Sequence, residues 1–389
     1  MIGENPFGEK RAALARKMEE MLRVNLAVTG RDTLLVITDR PVDQTPGPLE
    51  AADWERLNDG AELIAEVGGT MAGEVRFCPY PSTGGSGIEP PRAVWRAALG
   101  RAADLLEGEG YLKPLLEKSI DTESLSKVEA VVGRLREGAA DVVVSMTAYS
   151  TSHTRFRGLL TSRCGCRYAS MPRFEMGMFF GPMDVDYPRM ARRTGRLTGL
   201  LTAAREARLL APGTDISFSL SGRRGMSDTG ILTRPGSFGN LPAGEAYIAP
   251  LEGTARGIFT PGYDPAGIGG RPVSFRLQGG RVVEVRGPGN LAGPWRRRLA
   301  AHPNNANLAE LGIGTNDRAS RPDNVLEAEK IMGTIHLALG DNRSMGGGTT
   351  APLHEDFVIW NSTLELFFPD GSRRRVDPSR LGRVRRRRA

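Results

Sequence analysis

ADVVVSM, residues 140–146, sets three consecutive valines between an acidic and a small polar residue. The run is too short for a helix and apolar at both alternating positions, as a strand covered on two faces must be. Parallel sheets acquire such cover from crossover helices. The segments before it repeat the theme. TLLVITD (33–39) and EVRFCP (74–79) are short apolar runs, and helical spacing lies between them: Leu14, Met18, Met21, Leu22 and Leu26 within 10–28, and Trp54, Leu57 and Ile64 within 49–67. A helix at 91–106 and a charged one at 122–137 follow. Strand and helix alternate, so residues 1–185 are predicted to form an α/β domain, an open sheet with helices on both faces. After it, helix 188–207, with Met190, Leu197, Leu200 and Leu201, bridges to a segment of different texture. From about Ala211 the chain runs through TDISFSL, EAYIAP, RPVSFRL, RVVEVRG, GTIHLALG, DFVIW and TLELFF, short alternating strands punctuated by glycine. A β-rich second domain over 186–372 is expected, followed by an Arg-rich tail, 373–389.

Composition narrows the function. The 389 residues are 40% hydrophobic and 25% charged, enough for two packed cores, and no apolar run is long enough to span a membrane. The start lacks the pattern of a secretory signal, and three cysteines, Cys78, Cys164 and Cys166, are too few for a disulfide framework. A cytoplasmic protein is expected. The net charge of +7 is concentrated at one end. Residues 373–389 hold nine arginines and one aspartate, leaving 43 basic and 44 acidic side chains, a net of −1, on residues 1–372. The tail has no aromatics for base stacking, so nucleic-acid binding is not expected beyond contacts of that tail. STGGSG (82–87) lacks both the spacing and the lysine of a phosphate loop.

Only four histidines are present, and three stand near carboxylates in the second half. In PLHEDFVI, His354 and Asp356 are two apart, which in a strand sends both to one face. In GTIHLALG the same rule turns Ile335, Leu337 and Leu339 to a core and Thr334, His336 and Ala338 away from it, so His336 is expected to be presented rather than buried. Glu245 (GNLPAGEAYIAP) and Glu310 (LAELGIGTN) are carboxylates in otherwise apolar, glycine-rich segments. Singly, each is most simply a solvated surface group. Together, imidazoles and carboxylates suit zinc, manganese, cobalt or iron(II), and five ligands suggest two ions. His302 reads as a loop residue, Cys164 and Cys166 as structural, and Arg318, Arg321 and Lys330 as charges available to a substrate carboxylate.

On these motifs the sequence resembles the aminopeptidase T/S family of metallo-aminopeptidases. The resemblance runs from Gly213 to Gly371 and is faint over 1–185, where it rests on SHTRFRGLLTSRCGCRYASMP and the order of elements. It implies an N-terminal α/β domain, a C-terminal metal domain, a two-metal centre in their cleft, a homodimer, and a peptide or small amide substrate. Glu245, Glu310, His336, His354 and Asp356 fall on the family's metal ligands, with Glu310 expected to bridge or act as base. Glu329 is the nearest candidate for a further ligand, although its interval to the histidine strand is about two residues longer. The family tyrosine seven residues after the strand histidine is Arg343 here, a cation able to steady an oxyanion or a sign of another substrate. A more distant resemblance is to dihydroxypyridine dioxygenase, a mononuclear iron enzyme. Its site is a triad of two histidines and one carboxylate, which in this sequence could be His336, His354 and Asp356, and the resemblance implies a catalytic role for His153, otherwise a polar first-turn residue after a helix cap at Ser150–Ser152. That enzyme carries a histidine near the position of Glu310 and lacks counterparts of Glu245 and His336. The expectation is therefore a metallo-aminopeptidase-like hydrolase at a dinuclear centre of zinc, manganese or cobalt, with Fe(II) ring cleavage as the alternative. A non-catalytic carrier using the arginine tail is a third reading.

Overall fold

The computed structural model describes residues 6–42, 48–262 and 273–376; most of the Arg-rich tail lies outside them. The chain forms two compact units, Met1–Asp184 with Gly230–Pro242, and Val185–Thr229 with Ala243–Ala389.

The first unit is the α/β one. Strands β1 (Thr33–Arg40), β2 (Glu74–Pro81), β3 (Val142–Ser145) and β4 (Arg167–Ser170) are parallel, with β1 between β2 and β3. All four residues of β3 are buried, as its valines require. Leu35, Ile37 and Val143 pack with Val94, Trp95, Ala98 and Val128 of the crossover helices. The helix expected at 91–106 is instead two, Arg92–Leu99 and Arg101–Gly108, parted at Gly100, whose φ of 51° favours glycine. The cap expected at Ser150–Ser152 is made by Thr154, whose side chain accepts from the Arg157 N–H, so His153 precedes the helix Arg155–Leu159 rather than opening it. Behind that cap, the buried Glu89 carboxylate accepts from the N–H groups of Arg155 and Phe156 at 2.7 and 3.1 Å.

Helix Tyr187–Ala203 belongs wholly to the second unit. After it come β5 (Glu206–Ala211), β6 (Thr214–Ser219) and β7 (Met226–Asp228). Residues 230–242 then return to the first unit, where β8 (Phe238–Asn240) lies parallel to β4. The remaining strands are β9 (Glu245–Ile248), β10 (Arg256–Phe259), β11 (Ser274–Gln278), β12 (Arg281–Arg286), β13 (Leu308–Gly314), β14 (Ile335–Gly340), β15 (His354–Ile359), β16 (Thr363–Phe367) and β17 (Arg373–Val376). The first four residues of the expected tail are thus an edge strand, β17, paired with β16.

These strands make two antiparallel sheets, β12-β11-β10-β6-β5-β16-β17 and β15-β14-β13-β9-β7. Alternation decides what each face does. Ile248, Leu311, Ile313, Ile335, Leu337, Leu339, Phe357 and Ile359 share one core with Ile216, Phe218, Phe275 and Leu364 of the larger sheet. Trp295, from helix Gly289–Ala300, packs 4.9 Å from Phe357 ring to ring. Removing this apolar face from water is the main stabilising term. It also fixes the register that turns the other face of the smaller sheet, with its carboxylates and histidines, to one place.

No helix among the described residues is long and apolar enough to cross a membrane.

Candidate metal centre

On that other face, Gly314 lies opposite Glu245 and Gly312 opposite Tyr247, while on the next strand Gly312 faces His336 and Ala338 faces both Glu310 and Asp356. Glu245 (β9), Glu310 (β13), His336 (β14), and His354 with Asp356 (β15) therefore converge. Glu310 is the hub: its Oε1 lies 3.5 Å from His336 Nε2 and its Oε2 3.3 Å from His354 Nε2. His336 Nε2 is also 3.3 Å from Glu245 Oε2, and His354 Nε2 3.6 Å from Asp356 Oδ1. Three ligand groups follow, each with donor atoms within 4.8 Å of one another: Glu245–Glu310–His336, Glu310–His354–Asp356 and Glu329–His336–Asp356. His336 is buried, 1% exposed, which corrects the expectation that it is presented. The alternation turns it away from the apolar core, but the carboxylates close over it.

Glycine makes the room. A Cβ on Gly312 would fall 1.9 Å from His336 Nε2, and one on Gly314 would fall 2.2 Å from the Ile331 carbonyl. Two residues on, Asn316 staples the neighbouring segments. Its Nδ2 donates to the Ala243 carbonyl at 2.8 Å, its N–H to the Lys330 carbonyl at 2.9 Å, and its Oδ1 accepts from the N–H groups of Arg318 and Ala319. The chain before Glu245 and the chain at Glu329–Lys330 are thereby tied to the end of β13.

The donor set fits divalent ions. Glu245 Oε2 is buried without a hydrogen-bond partner, a costly state that ligation at this oxygen would relieve. His354 Nδ1 lies 2.7 Å from the Asp341 carbonyl, which can only accept. Nδ1 therefore carries hydrogen and Nε2 is turned to Glu310 and Asp356, the orientation a ligating imidazole needs. Four carboxylic side chains and one ammonium, that of Lys330, surround the two imidazoles. Burial alone would lower the imidazole pKa values, yet the hydrogen bond to Glu310 and the charges of Glu245, Glu310 and Asp356 bring His336 up to about 9. His354 is raised too: burial opposes it, but the charge and hydrogen bond of Asp356 and those of Glu310 prevail. Burial would raise Glu310, but the two histidines hold it well below the usual carboxylate range. Glu329 goes the other way, to about 8, through burial and the charges of Asp356 and Glu245, only partly offset by Lys330.

The other candidates are not members of these ligand groups. Arg343 is exposed on the turn Arg343–Met345, where its N–H donates to Asp341. His153 belongs to the first unit. His302 accepts from the Asn304 N–H at the start of a 3-10 turn, and Arg321 pairs with Asp323. Lys330 is not available to a substrate: it is 1% exposed and paired with Glu245 and Glu329. Tyr247 went unnoticed in the sequence, although it stands two residues after Glu245 on the same face. Burial and the charges of Asp228, Glu310 and Glu245 push its phenol well up, so it stays a neutral donor.

A family model described as NicX, 2,5-dihydroxypyridine 5,6-dioxygenase, matches residues 185–373, just under half of the chain. No curated protein matches the sequence. Among solved structures, 2,5-dihydroxypyridine dioxygenase from Pseudomonas putida KT2440 is similar over 93% of this chain and 95% of its own, with 16% identity and a TM-score of 0.64. Wild-type AmpT from Thermus thermophilus is similar over 94% and 98%, with 17% identity and a TM-score of 0.55. At these identities the likeness shows the fold: an α/β unit followed by a β-rich one.

Proposed function

We propose that the protein is a metal-dependent hydrolase that cleaves an amide or peptide bond at a two-ion centre. The observation that carries this is Glu310, whose two oxygens face different histidines as a bridging carboxylate must. Glu245, Glu310 and His336 would hold one ion; Glu310, His354 and Asp356 would hold the other. Bound there, divalent ions supply a water acidic enough to ionise near neutral pH and positive charge for the tetrahedral oxyanion. Glu310, held ionised by its histidines, is suited to ligation and ill suited to take a proton. Glu329, outside the two ion groups but within reach of His336 and Asp356, is a candidate acceptor for the proton of the attacking water. The neutral Tyr247 phenol is a candidate hydrogen-bond donor to the substrate, which offers a role for the tyrosine absent at Arg343.

A second reading is favoured by the family match over 185–373: ring cleavage of a hydroxylated pyridine at one iron. Its two-histidine, one-carboxylate triad would draw on His336, His354 and Asp356. Metal analysis of protein purified anaerobically, without added metal or chelator, tests both. About two equivalents of zinc, manganese or cobalt, with turnover of aminoacyl amides that is lost in Glu310→Gln and His354→Ala, is the expected result. About one equivalent of iron, with oxygen uptake on a dihydroxypyridine, overturns it in favour of the second reading. Metal content and hydrolysis unchanged in both variants would remove the site altogether.

A further inference from the structure

Lys330 is one of only six lysines beside 46 arginines, and the only one after residue 127. Its side chain is buried against two members of the acidic cluster, with Nζ 2.6 Å from Glu245 Oε1 and 2.7 Å from Glu329 Oε1. Its place is fixed by the backbone: its N–H donates to the Glu327 carbonyl at 3.0 Å and its carbonyl accepts from the Asn316 N–H at 2.9 Å. A compact ammonium can bind one oxygen from each carboxylate, whereas a planar guanidinium would spread over both oxygens of one. The ammonium thus takes Glu245 Oε1 and leaves Oε2, the buried atom without a hydrogen-bond partner, facing His336 Nε2 at 3.3 Å. We propose that Lys330 is a positioning residue that restricts Glu245 to ligation through Oε2 and so builds the ion site of Glu245, Glu310 and His336. The inference rests on the two-ion reading above. It adds that the two ion sites differ in their dependence on this one cation, because its hydrogen bonds go to Glu245 and Glu329, neither of which belongs to the group Glu310–His354–Asp356.

Zinc titrated calorimetrically into the metal-free full chain tests this. The wild type should take two ions. Lys330→Met should keep one within about threefold of its wild-type affinity and bind the other at least about tenfold more weakly, in line with the usual effect of losing a ligand's supporting partner. Lys330→Arg should restore the weakened site only in part. Should the loss of the ammonium unfold Lys330→Met, the double variant Lys330→Met/Glu329→Gln, which removes both members of that pair, decides the matter. Compared with Glu329→Gln alone, it should show the same selective weakening, with an unchanged circular dichroism spectrum. Two ions bound as tightly as in the parent, or both weakened alike, overturns the positioning role and leaves the two-ion centre standing. A single ion in the wild type overturns the two-ion reading and this inference with it.

Discussion

At the scale of single residues, the centre depends as much on what is missing as on what is charged. Gly312 carries no side chain where the His336 ring crosses β13, and a methyl group there would overlap Nε2 at 1.9 Å. The ring cannot yield easily, because His336 sits inside a strand paired on both sides. Gly312→Ala is expected to push the imidazole off the carboxylates and weaken one ion by about 10- to 100-fold, as lost ligand orientation does. Competition with a coloured chelator measures it; unchanged affinity would mean that the ring has other room. The motif ELGIGTN showed in the sequence that glycines surround Glu310, but not which neighbour each one admits. That neighbour lies on another strand, and its identity depends on register.

At the scale of elements, the period of two was the legible signal. It put Ile335, Leu337 and Leu339 on one face and His336 on the other, and joined His354 to Asp356. These follow from a rule that needs no knowledge of partners. What was not legible depends on pairing across long separations. Residues 230–242 leave the second unit to add β8 to the first sheet, the pairing of β13 with β14 is irregular between Leu308 and Glu310, and Lys330 meets a glutamate 85 residues away. A lysine beside a glutamate in EAEK looks like surface charge until β9 is laid against β13. The element that joins these strands is the Asn316 staple. Asn316→Ala would strand the Ala243 carbonyl and two backbone N–H groups, and a buried group left unpaired costs about 1–3 kcal/mol. The expected outcome is a loss of about 2–4 kcal/mol in denaturant unfolding of the metal-free chain, with zinc affinity reduced as well. Lost stability with intact zinc affinity would show that the staple supports the strands but not the ligands.

At the scale of the whole molecule, two units with separate cores can unfold in separate steps, and the ligand cluster belongs to one of them. Ions that bind only the native second unit should raise its transition and leave the other in place, by about 2.7 kcal/mol per site at free ion a hundredfold above the dissociation constant. The size of that rise should depend on pH with a definite sign. In the metal-free chain His336 has its pKa raised to about 9. Against an unfolded value near 6.5, its proton stabilises the fold fully below pH ~6.5, and that stability, on the order of 3 kcal/mol, drains away as pH rises through about 9. Glu329, raised to about 8, acts in the same direction. Ions require the deprotonated imidazole, so they compete with this proton at low pH and replace its missing charge at high pH. The gap between metal-loaded and metal-free melting of the second unit should therefore widen from pH 6.5 to 9, with protons released on metal binding. Scanning calorimetry at several pH values, with and without zinc, reads both. A gap that is constant over that window, or an upward shift of the first unit's transition, would place the ions somewhere other than this cluster.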